Sequence, residues 1–161
     1  AAAGGIACAL TAKGVYGTLD ITMFMNGVLG GLVGITAGAD QMSPAEAIAI
    51  GAIAGPIVLG GVALLDKAKL DDPVGAIPVH LFCGIWGTLA VGIFGGLASG
   101  TQIAIQAAVL GVAGIFCCVG AVIIVLLVKA LIGLRVSEAE EAEGLDIAEH
   151  GTGAYADFSI K

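Results

Sequence analysis

One ionisable side chain in this sequence stands where such groups are rare. His80 lies seven residues past Pro73, about 10 Å along a helix, inside the apolar stretch PVGAIPVHLFCGIWG. An imidazole exchanges its proton near neutrality and can relay one. At membrane depth an ionisable residue is a functional candidate by default. The residues three, four and seven away, Ala76, Ile77, Cys83, Gly84 and Gly87, are small or apolar and share its helical face. Such a face suits a narrow, dry lumen. The plainer alternative is a histidine hydrogen-bonded to a neighbouring helix. A metal site is not expected, because the only other histidine, His150, lies in the tail. Asn26 and Thr36 are polar positions within an apolar run, where interhelical hydrogen bonding is the commoner role. Asp71 and Asp72 precede Pro73 and suit the positive end of a helix. Trp86 reads as a packing or lipid-facing residue. Cys8, Cys83, Cys117 and Cys118 fall inside apolar runs without metal-ligand spacing and read as small packing residues.

The elements that must carry these residues are apolar helices. The chain has 161 residues, is 58% hydrophobic and only 12% charged, and contains 27 glycines. Soluble domains average about 25% charged residues, so lipid is the expected solvent and the expected class is an all-α integral membrane protein. Four spans are predicted, over 21–39, 44–65, 73–97 and 103–131, within a transmembrane segment 1–131. A tail, 132–161, follows. The run Ile6 to Ala12 is too short to span and reads as the end of a helix. The start lacks a Met and a basic signal region, and the chain is expected to begin within a longer protein. Ser43, Pro44 and Glu46 form a capping-box start for the second span. Gly27/Gly31, Gly30/Gly34, Gly34/Gly38, Gly51/Gly55 and Gly92/Gly96 are four apart, a spacing that lets helix backbones approach closely in lipid. Ser137 and Glu140 repeat the capping box before a short helix over 138–143, ended by Gly144. Leu145, Ile147, Tyr155 and Phe158 are apolar anchors by which the tail is expected to dock.

Charge supplies an orientation. Seven acids follow Val136 and only Lys161 offsets them, so most of the net charge of −7 belongs to the tail. Lys13, Lys67, Lys69, Lys129, Arg135 and Lys161 all fall on one side of the four predicted spans, while the loops at 40–43 and 98–102 hold no Lys or Arg. The positive-inside rule makes the basic side cytoplasmic, with both ends of the chain there. No basic patch suggests nucleic acid.

Three strings carry a family resemblance. DDPVGAIPVHLFCGIWGTLAVGIFG (71–95) resembles the tenth transmembrane segment of the ammonium transporter family, the Amt, Mep and Rh proteins. NGVLGGLVGITAG (26–38) resembles the eighth, and IGLRVSEAEEAEGLDIAEHGTGAY (132–155) the cytoplasmic carboxyl terminus. The resemblance implies an eleven-helix fold whose first ten helices form two inverted halves, of which this chain would hold the end of helix seven, helices eight to eleven and the tail. It implies a homotrimer in the plasma membrane with a pore in each subunit. His80 would be the second of two pore histidines, Ala76 a pore-lining position one turn earlier, with Ile77 beside it. Thr36 would lie near the outer end of the pore and Asn26 behind its wall. The implied chemistry is that NH₄⁺ sheds a proton, crosses as NH₃, and the proton passes along the imidazoles. K⁺ has no proton to give up. No cofactor is implied. The tail string GLDIAEHG implies an intersubunit contact, and prokaryotic relatives receive a PII signalling protein at the cytoplasmic face. Leu81 stands where many relatives have glycine, and Ala148 where plant relatives carry a phosphorylatable threonine.

Two other classes compete. A rotary ATPase proteolipid is also Gly/Ala-rich with four spans, but it needs a mid-membrane carboxyl group. Here Glu46 sits in the first turn of its span, and spans three and four hold no acid. A non-transporting membrane scaffold would leave His80 merely packed.

Overall fold

The computed structural model describes residues 1–153, and the elements named here lie within them. Contacts divide the chain into two units, 1–113 and 114–161.

The first unit is a set of helices joined through glycine. Helix α1, Ala2–Tyr16, buries Gly4, Gly5, Cys8 and Ala12, a small-residue stripe at helical spacing. It extends the expected apolar run in both directions, and Gly17 ends it in the left-handed region with φ 79°. Helix α2, Ile21–Thr36, starts at Asp20, whose Oδ1 accepts from the backbone N–H groups of Thr22 (2.7 Å) and Met23 (3.0 Å). It buries Asn26, Gly27, Gly30, Gly31 and Gly34. A side chain on Gly55 would stand 2.6 Å from the backbone nitrogen of Cys8 and 2.7 Å from the carbonyl oxygen of Gly4. The small residues thus mark contacts of backbone on backbone, where dispersion drives association in lipid.

Helix α3, Pro44–Ala68, opens with the predicted capping box: Ser43 N–H donates to Glu46 Oε2 (2.8 Å) and Glu46 N–H donates to Ser43 Oγ (3.4 Å). It runs through Asp66 and Lys67, which the sequence places in a loop, and stops where Lys69 turns left-handed at φ 57°. At 25 residues it covers about 37 Å. Its buried face is Ile50, Gly51, Ala54, Gly55, Val58, Leu59, Gly61 and Leu65.

The third predicted span, 73–97, is shorter as a helix. Helix α4 covers Ile77–Ala90, about 21 Å, and its first part, Ile77–Phe82, is a π turn. Two causes trim it. At the start, Gly75 adopts φ 72°, which separates Pro73 and Val74 from the helix. At the end, Gly92 and Ile93 donate to carbonyls only three residues back, Leu89 and Ala90, both at 3.0 Å. That tighter winding closes the helix, and Gly95 (φ 76°) turns the chain away.

Helix α5, Gly100–Leu131, belongs in part to each unit and buries no residue. Its 32 residues cover about 48 Å. In the second unit, α6 spans Glu138–Glu143 behind the predicted capping box of Ser137 and Glu140. A further helix that the sequence reading does not contain, α7, spans Leu145–His150. Leu145 and Ile147 are exposed. The proposed anchors Tyr155 and Phe158 lie outside the described residues.

Candidate functional site

The site is built by the way α4 is hung on α2 and α3. Asp72 caps its start: Oδ1 accepts from Ala76 N–H and Oδ2 from Ile77 N–H, both at 2.8 Å. A carboxylate at this end also meets the positive pole of the helix. Asn26, 7% exposed on α2, donates from Nδ2 to the carbonyl of Val74 at 3.1 Å. Gly75 is packed so closely beneath it that a side chain there would stand 2.8 Å from Asn26 Nδ2. Inside the π turn the Cys83 N–H reaches the Pro78 carbonyl five residues back as well as that of His80. Insertions of this kind in α-helices recur at functional sites.

One face of α4 is packed. Val79, Cys83, Gly87 and Ala90 are buried at the three- and four-residue spacing of a helix stripe. Cys83 Sγ lies 3.7 Å from the Ala54 carbonyl on α3. Pro78 and Phe82 rest over Gly61, where a side chain would come within 2.8 Å of Pro78 Cβ and 2.7 Å of Phe82 Cδ2. Trp86 Nε1 donates to the Ile50 carbonyl at 3.1 Å, and its ring meets Phe94 edge-on with centroids 6.4 Å apart. At the far end Glu46 Oε1 accepts from Gly95 N–H at 3.0 Å, so the acid that starts α3 also holds the chain leaving α4.

His80 stands on the other face. It is exposed, and so are Ala76, Ile77 and Leu81. The helices of this unit therefore leave the imidazole and its predicted companions Ala76 and Ile77 together on one open face. Asn26 is not on that face; it touches the turn that begins the helix. Thr36 is not brought to His80. Helices α2 and α4 run side by side in the same direction, since Asn26 meets Val74, Gly30 meets Cys83 and Gly34 meets Gly87. That register puts Thr36 about 13 Å beyond His80 along the helix axis. Its hydroxyl proton goes to the Leu32 carbonyl of its own helix at 2.7 Å, which leaves the oxygen free to accept.

Four particulars escaped the sequence reading: Pro78 and its π turn, the Trp86 tether, the second bond of Glu46, and the partner, Val74, of the interhelical hydrogen bond expected of Asn26. Only the first had a local signal, a proline two residues before the histidine within a predicted helix. The others join residues 36, 49 and 48 positions apart.

This architecture, apolar helices closely packed through glycine with an imidazole on a π turn, defines an all-α membrane protein. The described residues include two helices long and apolar enough to cross a bilayer, Pro44–Ala68 and Gly100–Leu131, and two shorter apolar ones. Residues 1–155 match the family described as the Ammonium Transporter Family, and the chain belongs to it. A putative ammonium transporter of Synechocystis is 46% identical over 134 residues, 82% of this chain and 30% of that protein. Ammonium transporter Amt2 of Archaeoglobus fulgidus is 40% identical over 159 residues, 88% of this chain and 34% of that protein. A solved structure titled Sensor Amt Protein superposes with a TM-score of 0.84 at 32% identity, over 92% of this chain and 39% of that one. The structure of Saccharomyces cerevisiae Mep2 shares the fold, with a TM-score of 0.78 at 22% identity, over 86% of this chain and 35% of that one. The chain spans about a third of the length of the curated relatives it matches.

Proposed function

We propose that this chain forms part of an ammonium channel-transporter in which His80 faces the conduction path. The observation that carries the reading is the open face of α4. In a family of ammonium transporters, a chain that packs Val79 and Cys83 inward leaves His80, Ala76 and Ile77 free for the wall of a pore. In this reading the facing wall comes from the rest of the eleven-helix fold.

Stripping water from NH₄⁺ in an apolar corridor is costly. Transfer of its proton to an imidazole leaves neutral NH₃, which crosses without that penalty, while the proton moves along the histidines. K⁺ has no such route. Thr36 lies toward the outer end of the path and Asn26 behind its wall. The protein is a multi-pass plasma-membrane homotrimer with its carboxyl terminus in the cytoplasm, where a PII signalling protein is a candidate partner. It carries out transport and no covalent catalysis.

The test is methylammonium and K⁺ flux in the complete reading frame that carries these residues. His80→Ala is expected to change substrate choice or proton coupling while the protein still reaches the membrane. Unchanged flux and selectivity would end the role given to His80.

A further inference from the structure

The carboxylate of Glu46 divides its two oxygens between two helices. Oε2 turns back on the start of its own helix, where it accepts from the Ser43 backbone N–H at 2.8 Å and from the Ser43 hydroxyl at 2.7 Å. The capping box needs only that oxygen. Oε1 accepts from the N–H of Gly95 at 3.0 Å, 49 positions further along the chain. Gly92, Ile93 and Phe94 still donate to carbonyls of α4. Gly95, at φ 76°, donates to Glu46 instead. Met42 fills the space between this turn and the end of α2: a side chain on Gly95 would stand 3.0 Å from Met42 Sδ, and one on Gly38 would stand 2.6 Å from Met42 Cε. Gly38 follows Thr36 by two residues. The same turn also carries the start of α5, since Ser99 N–H donates to the Gly92 carbonyl at 3.0 Å.

We propose that Glu46 is a positioning residue for the outer end of the conduction path: one oxygen starts α3, the other fastens the turn that leaves α4, and Met42, held between Gly95 and Gly38, passes that position on to the end of α2 that carries Thr36. The inference rests on the reading of this chain as part of a pore with Thr36 toward its outer end. An ionised carboxylate suits the task, because both oxygens accept at once, whereas a carboxamide has one accepting oxygen. Bonds from backbone N–H groups to an ionised acceptor are also stronger than neutral ones. His80 sits near the opposite end of α4, so loosening this clamp disturbs the entry of substrate more than the step at the imidazole.

Two substitutions separate the clamp from the cap. Ser43→Ala removes the hydroxyl half of the capping box but leaves the bond to Gly95, whereas Glu46→Ala removes both. In the complete reading frame, Glu46→Ala is expected to raise the KM for methylammonium uptake about fivefold at equal membrane abundance, with the maximal rate nearly unchanged. Glu46→Gln, with one oxygen for two backbone donors, should raise it about twofold to threefold. Ser43→Ala should leave KM as it was. Hydrogen exchange checks the contact itself: protection of the Gly95 amide should fall in Glu46→Ala and persist in Ser43→Ala. Should Glu46→Ala fail to reach the membrane, Glu46→Gln against Ser43→Ala decides alone. Equal KM values in those two variants overturn the proposal. So does a Glu46→Ala protein whose Gly95 protection or whose KM is unchanged, or one in which the maximal rate falls while KM stays. His80→Ala run alongside separates this inference from the reading beneath it. Normal flux in that variant removes the role of His80 in the pore, while Gly95 protection still judges the clamp by itself.

Discussion

Helices α3 and α5 are both long, apolar and glycine-containing, yet they stand in opposite circumstances. In α3, 44% of the most apolar stretch is buried; in α5 none is. The glycines show why. Gly55 and Gly61 of α3 each have neighbouring atoms closer than 3 Å to where a side chain would begin. Gly111, Gly114 and Gly120 of α5 have nothing within 4 Å. Hydrophobicity marks both as suited to lipid, but it does not say where another helix lies. Gly55 and Gly61 of α3 are contact points, whereas Gly111, Gly114 and Gly120 of α5 carry only the conformational cost of glycine in a helix.

The same substitution should therefore act with opposite sign on the two helices. Gly55→Ala places a methyl group against the backbone of α1, which cannot yield as a side-chain end can, and is expected to cost about 1–3 kcal/mol. Gly114→Ala is expected to be neutral or to stabilise by up to about 1 kcal/mol through helix propensity. Thermal unfolding in detergent measures both. A destabilised Gly114→Ala would reveal that α5 is covered in the assembled protein, which would sharpen the contrast into one between contacts inside this chain and contacts outside it.

A smaller effect tests how α4 is fastened to α3. Trp86→Phe keeps an aromatic ring but removes the donor to the Ile50 carbonyl, with an expected loss of about 1 kcal/mol in the same assay. The smallest lies in the tail, where order rests on local capping. Hydrogen bonds from the Ser137 hydroxyl, and then from the Ser137 backbone N–H, hold the Glu140 carboxyl below its usual range. The folded value is depressed, so this support is present above the unfolded-state value and is lost as pH falls through the folded one. Protection of the α6 amides, taken relative to their intrinsic exchange rates, should fall on acidification below the ordinary carboxylate range while α3 stays protected. Ser137→Ala should remove most of that pH dependence.

The helix starts were legible in the sequence where a few adjacent residues set them. Ser43 with Glu46 and Ser137 with Glu140 satisfy backbone groups three residues away, so a short string contains the whole interaction. The bounds of α4 were not. Pro73 reads as a helix start, but the turn is set by Gly75 and by Asn26 on another helix, and the end by a bond from Gly95 to Glu46. Among the site residues, His80 was conspicuous as an ionisable group in an apolar run. Its placement beside Ala76 and Ile77 followed from helical spacing. The separate position of Thr36 and the tethering role of Asn26 required the register of α2 against α4.

By itself the sequence determined the solvent of this protein, the approximate places where its helices run, and the glycine faces along which they can meet, because composition and period act within a few turns of chain. Only the tertiary structure decided which of those faces are used and what ties the turn before α4 to α2. Those outcomes depend on bonds between residues dozens of positions apart, and such bonds exist only once α2, α3 and α4 lie together.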